Sequence, residues 1–379
     1  MSVSHIPEKV KVRLWGKAGG RCQYEGCNKP LWEDALTKVE FNISYIAHII
    51  ADKPDGPRGD GVLSEQLKAD ISNLMLMCDE HHRLIDKEDA SGHTVKRLQE
   101  MKASHESRVE LLTSIQEEKR SHIILYGANV GTHSAPVSSQ KAAAAMVPNR
   151  FPADSRGIIL GLRNSSYYDH EDDYWALERE NLSRQFERVV KPILAEGEVP
   201  HFSIFALAPQ PLLIQLGRLL SDIPAADVFQ LHREPPTWLW QESPDGFEYK
   251  IQRPGNSGSD VALNISLSAS IDNARIESVL GNDVAIWTLT IDEPHNDFMK
   301  GKDQLRVFRE TFRKLLGEIK KQHGQDTVLH VFPAMPVSAA VEVGRVWMPK
   351  ADMPLRIYDQ NADRGGFVKA LLIGGKAEQ

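Results

Sequence analysis

An internal repeat in the second part of the chain most constrains its fold. Four residues recur at a constant offset of 127: Phe205, Pro209, Gly217 and Arg218 return as Phe332, Pro336, Gly344 and Arg345. Two groups of apolar residues further upstream match at an offset of 126: Phe186, Val189, Val190 and Ile193 with Phe312, Leu315, Leu316 and Ile319. Self-similarity at a fixed spacing indicates related structural units in succession. The sequence therefore predicts two such units, at about residues 150–225 and 280–350.

Each predicted unit alternates strands and helices. An apolar strand, 158–162 or 286–291, is followed by a long amphipathic helix, a second strand, a turn containing proline and a further helix. This alternation is typical of parallel sheets covered by helices. We therefore expect an α/β fold with two fused Rossmann-like halves. A ligand would lie beyond the carboxyl ends of the strands, near helix N-termini that favour phosphate.

All three cysteines of the chain lie in its first ninety residues. The pair Cys22 and Cys27 is followed much later by Cys78-x2-His81, which supplies three thiolates and one imidazole. This set suits a closed tetrahedral zinc site. Because so short a module buries little core, bound zinc would contribute to its folding. The alternative is three buried free cysteines, a common environment for this residue.

The same segment resembles the HNH nuclease motif. Adjacent helical residues point about 100° apart, so His82 would not share an ion with its neighbour. His48 on a predicted strand, Asn73 at the start of a second strand, and His82 on the following helix match the motif. The resemblance implies a small ββα-metal module in which His48 is the general base and Asn73 fixes the loop and the base. It makes His82 a ligand of a catalytic divalent ion, expected to be Mg²⁺, with Mn²⁺ or Ni²⁺ as alternatives.

The resemblance is incomplete at Ala47, where many HNH proteins have an acidic metal ligand. Asp86, one helical turn after His82, is a candidate for the second protein ligand. The alternative is an exposed or supporting carboxylate.

The loop between the two predicted strands is rich in glycine and proline, and it carries Lys53 and Arg58. Both are predicted to contact DNA phosphates. Arg58 also resembles the Gly-Pro-Arg element of related HNH modules. The alternative is an ordinary surface loop with solvated charges.

Composition and charge limit the remaining possibilities. A formal net charge of −7 and a pI near 6.1 argue against a protein that coats nucleic acid by bulk charge, so DNA affinity would need a local groove or several assembled copies. The sequence has no run of eighteen apolar residues and no signal-peptide pattern, and we expect a soluble, cytoplasmic protein with no membrane contact. The predicted domains are a nuclease module at 1–93, a connector helix at 94–120 and a sensor at 121–379.

The second part of the chain resembles the SAVED domain, a fusion of two CARF-like units that senses cyclic oligonucleotides. The matching stretches are 227–233 with Trp238 and Trp240, 267–270, and 330–336 running on to Gly344 and Arg345. Five residues are predicted to contact the ligand: Trp238, Phe332, Pro333, Met335 and Arg345. A tryptophan can stack on a nucleobase, although most tryptophans are core or interface residues.

Together the two resemblances identify an HNH-SAVED effector of cyclic-oligonucleotide-based antiphage signalling (CBASS). They imply an endonuclease that forms a homo-oligomer when a cyclic di- or trinucleotide binds, and then degrades double-stranded DNA. Two alternatives stay open: a modification-dependent HNH restriction enzyme, and a noncatalytic zinc module controlled by a ligand sensor.

Overall fold

A computed structural model describes residues 5–130, 137–162, 165, 167–171, 173–196, 199, 201–361 and 364–374. The chain forms two compact units, residues 1–116 and 117–379. None of the helices in these described ranges combines the length and the apolar character that a membrane crossing requires.

The first unit contains two short strands and four helices in its described part. They are α1 (Glu8–Ala18), β1 (Ser44–His48), α2 (Leu63–Leu67), β2 (Leu74–Cys78), α3 (Asp79–Arg83) and α4 (Val95–Thr113). The two strands are antiparallel, and β2 is buried along its whole length because it consists of apolar residues and a cysteine. The order strand, strand, helix around His48 and Cys78 is the predicted one.

Helix α4 begins where the side chain of Thr94 accepts a hydrogen bond from the backbone N–H of Arg97, a typical N-cap. The helix ends at Thr113 and does not continue to Arg120 as the sequence predicted. Arg120 already belongs to the first strand of the second unit. On the buried side of α4, His105 Nε2 donates to the carbonyl of Ala18 at 2.9 Å, which ties α4 to the end of α1.

The second unit is a mixed α/β structure. Its elements begin with β3 (Arg120–Gly127), α5 (Ser139–Met146), β4 (Phe151–Pro152), β5 (Ile158–Leu160), α6 (Tyr174–Gln185), α7 (Lys191–Glu196), β6 (His201–Leu207), α8 (Gln210–Leu220) and β7 (Ala225–Val228). They continue with β8 (Lys250–Gln252), β9 (Asp260–Ser266), α9 (Asn273–Leu280), β10 (Val284–Thr290), α10 (Lys302–His323), β11 (Leu329–Ala334), α11 (Val337–Val346), β12 (Leu355–Asn361) and β13 (Gly366–Ile373).

Two sheets form the framework of this unit. The first has the order β4-β3-β6-β7, with β5 also paired to β3, and all its pairs are parallel. The second has the order β13-β12-β11-β9-β10-β8, with four parallel inner strands and an antiparallel strand at each edge. The order β5-β3-β6-β7 therefore corresponds to β10-β9-β11-β12. The predicted repeat is present, and it includes one more central strand per half than the sequence indicated.

The repeated glycines lie where α8 and α11 cross. A Cβ atom at Gly217 would lie 1.9 Å from the carbonyl oxygen of Val341, and one at Gly344 would lie 1.9 Å from the carbonyl oxygen of Ile214. Both members of each contact are related by the same offset of 127, so the crossing is pseudo-symmetric. Only glycine permits this approach of two helix backbones.

Replacement of Gly217 by alanine should therefore lower the free energy of unfolding of the second unit by at least about 2 kcal/mol, because the added methyl meets backbone that cannot rotate away. Gly317 provides the matched control: it lies inside α10, and a Cβ atom added there would have no neighbour within 4 Å. Gly317→Ala should raise the free energy of unfolding by about 0.5–1 kcal/mol. Thermal unfolding of the full chain measures both, and equal melting temperatures for the two variants would contradict the close crossing.

Candidate functional site

Four side chains of the first unit bring their possible ligand atoms within 4.8 Å of one another: Cys22, Cys27, Cys78 and His81. The Nδ1 atom of His81 lies 3.1 Å from Sγ of Cys78 and 3.7 Å from Sγ of Cys22. Around a tetrahedral zinc ion with bonds of about 2.0–2.3 Å, neighbouring ligand atoms are about 3.5 Å apart. The three sulfurs and one imidazole could therefore hold such an ion.

Local structure prepares this cluster. After α1 ends at Gly19, in the left-handed conformation, the N–H of Cys22 donates to the carbonyl of Lys29 at 3.0 Å and closes a small turn that contains Cys27. Tyr24 from this turn stacks on His81 with ring centroids 4.1 Å apart. Burial raises the pKa of the Cys22 thiol to about 12 and also raises the pKa of Cys78. A cation within the cluster would offset this cost of burying thiolate charge.

His48 ends β1 and is only 7% exposed. Its Nε2 atom lies 2.9 Å from the carbonyl oxygen of Lys68. A carbonyl oxygen only accepts hydrogen bonds, so Nε2 carries the proton and the lone pair of the neutral ring is on Nδ1. This arrangement provides an oriented imidazole with one basic nitrogen.

Asn73 holds the chain directly after His48. Its Nδ2 donates to the carbonyl of Ile50 at 2.8 Å, and its Oδ1 accepts from the N–H of the same residue at 2.8 Å. The Asn73 carbonyl also accepts from the N–H of Ile49 at 2.9 Å. These three bonds are buried, and they fix the backbone that leaves β1.

His82 lies on α3 with one face against Tyr45 of β1, at a centroid distance of 5.1 Å. Its Nε2 atom is 3.5 Å from Oδ2 of Asp86. Partial burial lowers the pKa of His82, with the nearby Asp86 acting in the opposite direction. The neutral imidazole, which can bind a metal, is therefore favoured near pH 7.

Arg58 connects these residues. Its guanidinium donates to the carbonyls of Ile49, Ile85 and His48, and to Oδ1 of Asp86 at 2.7 Å. The side chain is 7% exposed, so the structure gives it a bracing role within the unit rather than the predicted open position for a DNA phosphate. Lys53, on the same loop, is exposed as a phosphate contact requires, and its contact with DNA stays a prediction.

The predicted ligand residues of the second unit are all buried: Trp238, Phe332, Pro333, Met335 and Arg345. Trp238 packs edge-on against Phe205, and Phe332 stacks on Tyr358 with centroids 4.3 Å apart. Pro333 lies within β11.

Arg345 donates to the backbone carbonyls of Ser221 and Pro224 and to Glu342. The structure gives these five residues packing contacts, and their contact with a ligand stays a prediction.

The helix N-termini that were expected to face phosphate are partly occupied by side chains from the other half of the unit. The N–H of Ser338, in the first turn of α11, donates to Oε1 of Gln230 at 3.2 Å. The N–H of Met335 donates to Oε1 of Gln210 at 3.2 Å. The amide oxygens of these glutamines hold the positions that an anion would need.

Sequence reasoning missed several supporting residues. Tyr24 and Tyr45 stack on the two adjacent histidines of α3, and Lys68 contributes a backbone carbonyl to His48. The alternation of side chains along β1 could have placed Tyr45 on the same face as Ala47. No signal in the sequence identifies the carbonyl of Lys68, because any residue type supplies one.

Comparisons with known proteins concern mainly the second unit. No curated protein matches the sequence. The chain is similar to three solved structures. The first is the Acinetobacter baumannii Cap4 SAVED/CARF-domain containing receptor with the cyclic trinucleotide 2'3'3'-cAAA, at 14% identity and a TM-score of 0.43, covering 82% of this chain and 61% of that chain. The second is a structure of the same receptor described without a ligand, at 12% identity and a TM-score of 0.43, covering 83% and 72%.

The third is the Moraxella osloensis Cap4 SAVED/CARF-domain containing receptor, at 10% identity and a TM-score of 0.39, covering 74% of this chain and 61% of that chain. The chain thus spans less than two thirds of the length of the first and third of these proteins.

A family model matches residues 182–373, which is half of the chain and lies entirely within the second unit. The family is described as the SMODS-associated and fused to various effectors sensor domain, or SAVED. The match begins in α6 and ends with β13, and it includes both crossing helices with their paired glycines. The chain therefore belongs to the SAVED family.

Proposed function

We propose that the protein is a metal-dependent DNA endonuclease that is activated when a cyclic oligonucleotide binds its SAVED domain. The observation that carries the nuclease part is the oriented imidazole of His48, joined through Arg58 to the His82 and Asp86 pair. The family description, a sensor domain fused to effectors, supports a division into a sensor and an effector. The first unit is the proposed effector.

In this proposal His48 accepts a proton from water at Nδ1 as the water attacks a phosphodiester bond. The bond from Nε2 to the Lys68 carbonyl keeps the ring in the required tautomer, and the buried Asn73 clamp holds the backbone beside it. His82 would bind the divalent ion, expected to be Mg²⁺. When bound, such an ion neutralises charge that develops on the phosphate and the leaving oxygen.

Cys22, Cys27, Cys78 and His81 would hold a structural Zn²⁺ in the same unit. A single module of this kind has one catalytic histidine and would cut one strand. We therefore propose that ligand binding drives formation of a homo-oligomer, in which two modules together cut both strands of DNA. This activity fits an effector of antiphage signalling, as the resemblance to the HNH-SAVED proteins implies.

Plasmid cleavage by the purified full chain tests the proposed function. Supercoiled DNA is incubated with Mg²⁺ and each of a panel of cyclic di- and trinucleotides, and the nicked and linear products are separated on a gel. We expect cleavage with one nucleotide and none without it. Cleavage that no nucleotide changes would contradict the sensor assignment, and cutting restricted to modified DNA would favour a modification-dependent restriction enzyme. No cleavage under any condition would favour a noncatalytic regulator.

A further inference from the structure

The proposed catalytic site lacks one expected metal ligand. Ala47 directly precedes His48 on β1 and offers no ligand atom. Catalytic metal sites usually have two or three protein ligands and leave other positions open to water or substrate. Since side chains alternate along a strand, Ala47 and Tyr45 share one face of β1, and Tyr45 stacks on His82. A replacement ligand must therefore lie close to His82.

Asp86 meets this condition. It lies one helical turn after His82, and its Oδ2 atom is 3.5 Å from His82 Nε2. Two cis ligands of one ion, each about 2.1 Å from it, are roughly 3.0 to 3.5 Å apart. The side chains of His82 and Asp86 are 22% and 28% exposed, so water and a phosphate group can reach the point between them.

The other oxygen of Asp86 is held by Arg58, whose terminal nitrogen lies 2.7 Å from Oδ1. Arg58 is itself fixed by bonds to the carbonyls of Ile49 and Ile85 at 2.8 and 2.6 Å. Hydrogen bonds to the outer oxygen of a carboxylate orient it and are a regular part of metal sites. Arg58 leaves Oδ2 directed at His82, and it also contacts the carbonyl of His48 at 3.3 Å.

We propose that Asp86 is the second protein ligand of the catalytic ion and that Arg58 is its positioning residue. This inference rests on the nuclease function proposed above for the same site. The ligand absent from the first strand is supplied by the helix. The buried arginine then serves the metal site and aligns it with His48, instead of contacting DNA.

Metal binding by the zinc-loaded full chain tests the proposal, with Mn²⁺ as the probe and the electron paramagnetic resonance signal of free Mn²⁺ as the readout. Asp86→Asn keeps an acceptor for Arg58 and removes the anionic ligand, so we expect at least about a tenfold loss of Mn²⁺ affinity. Glu88→Gln, an equal charge change at an exposed position two residues away, should leave the affinity within about twofold. Wild-type affinity in Asp86→Asn, or a wild type that binds no Mn²⁺, would overturn the proposal.

A second variant separates direct ligation from indirect support. In Asp86→Cys, a thiolate replaces the carboxylate, and thiolates bind soft metals directly. Addition of Cd²⁺ to the zinc-loaded protein should produce a thiolate-to-metal charge-transfer absorption beyond that of the wild type. If the variant shows no additional absorption, residue 86 lies outside the coordination sphere and the proposal fails.

A double-mutant cycle tests the role of Arg58. Arg58→Lys should lower Mn²⁺ affinity in the wild-type background and have no effect in the Asp86→Asn background, because the arginine acts through that carboxylate. An equal loss in both backgrounds would instead indicate general damage to the unit.

Plasmid cleavage measured on the same samples distinguishes failure of this inference from failure of the proposed function. A wild type that binds Mn²⁺ through Asp86 and cuts no DNA contradicts the nuclease function and leaves the metal site in place. Undiminished Mn²⁺ affinity in Asp86→Asn, with normal cleavage, contradicts the metal site alone.

Discussion

Replacement of His48 by alanine is expected to slow DNA cleavage by at least about a hundredfold, the usual contribution of a general base. The ring is held by a single bond from Nε2 to the carbonyl of Lys68, and its free lone pair on Nδ1 is the proposed proton acceptor. Alanine removes this acceptor and leaves the backbone bonds of Asn73 in place. The rate of loss of supercoiled plasmid, in the presence of the activating nucleotide and Mg²⁺, measures the effect.

His5→Ala is the matched control because His5 is exposed in the same unit. It should cut DNA at the wild-type rate. Zinc content and melting temperature are measured for both variants, so that a loss of folding is recognised. Wild-type cleavage by His48→Ala would place the general base elsewhere, and equal losses in the two variants would show that histidine removal acts without specificity.

Removal of the structural metal is expected to unfold the first unit and leave the second one folded. The four ligand residues join the turn after α1 to the end of β2 and the start of α3, which lie more than fifty residues away in sequence. Structural zinc contributes about 10 kcal/mol or more of apparent binding energy in small modules. This is comparable with the entire stability of a typical domain, about 5–15 kcal/mol.

Hydrogen exchange measured by mass spectrometry tests this expectation segment by segment. After chelation, or in the Cys78→Ser variant, amide protection should disappear from β1, β2 and α3 and persist in β9 and β11. Addition of Zn²⁺ to the chelated wild type should restore it, and Cys78→Ser should not recover. Full protection of β2 in the metal-free chain would show that the four side chains are ordinary core residues.

The sequence predicted the repeat and the metal cluster because both leave local signals. Residue identities at a fixed offset revealed β6 with α8 and β11 with α11, and ligand spacing revealed the cysteines that the structure brings together. The central strands β3 and β9 escaped the repeat because they share burial but no matching residues. Hydrophobic periodicity reports that a strand is buried and does not identify its neighbours.

The predicted ligand contacts show the same limit. Trp238 and Phe332 are aromatic residues near the ends of strands, a pattern shared by core residues and by nucleobase platforms, and the structure buries both. Arg58 looked like a phosphate contact because it follows glycine and proline in a loop. Its buried bonds to three carbonyls and Asp86 depend on residues distant in sequence, which no local pattern contains.

The crossing of α8 and α11 restricts how the sensor can respond to a ligand. Where two helix backbones touch at Gly217 and Gly344, no layer of side chains remains that could slide or change rotamer. The two halves must then rotate as one body, without opening like a hinge at their junction. Movement that reports ligand binding has to occur at the periphery, in the loops and edge strands, and a neighbouring copy of the protein would meet it there.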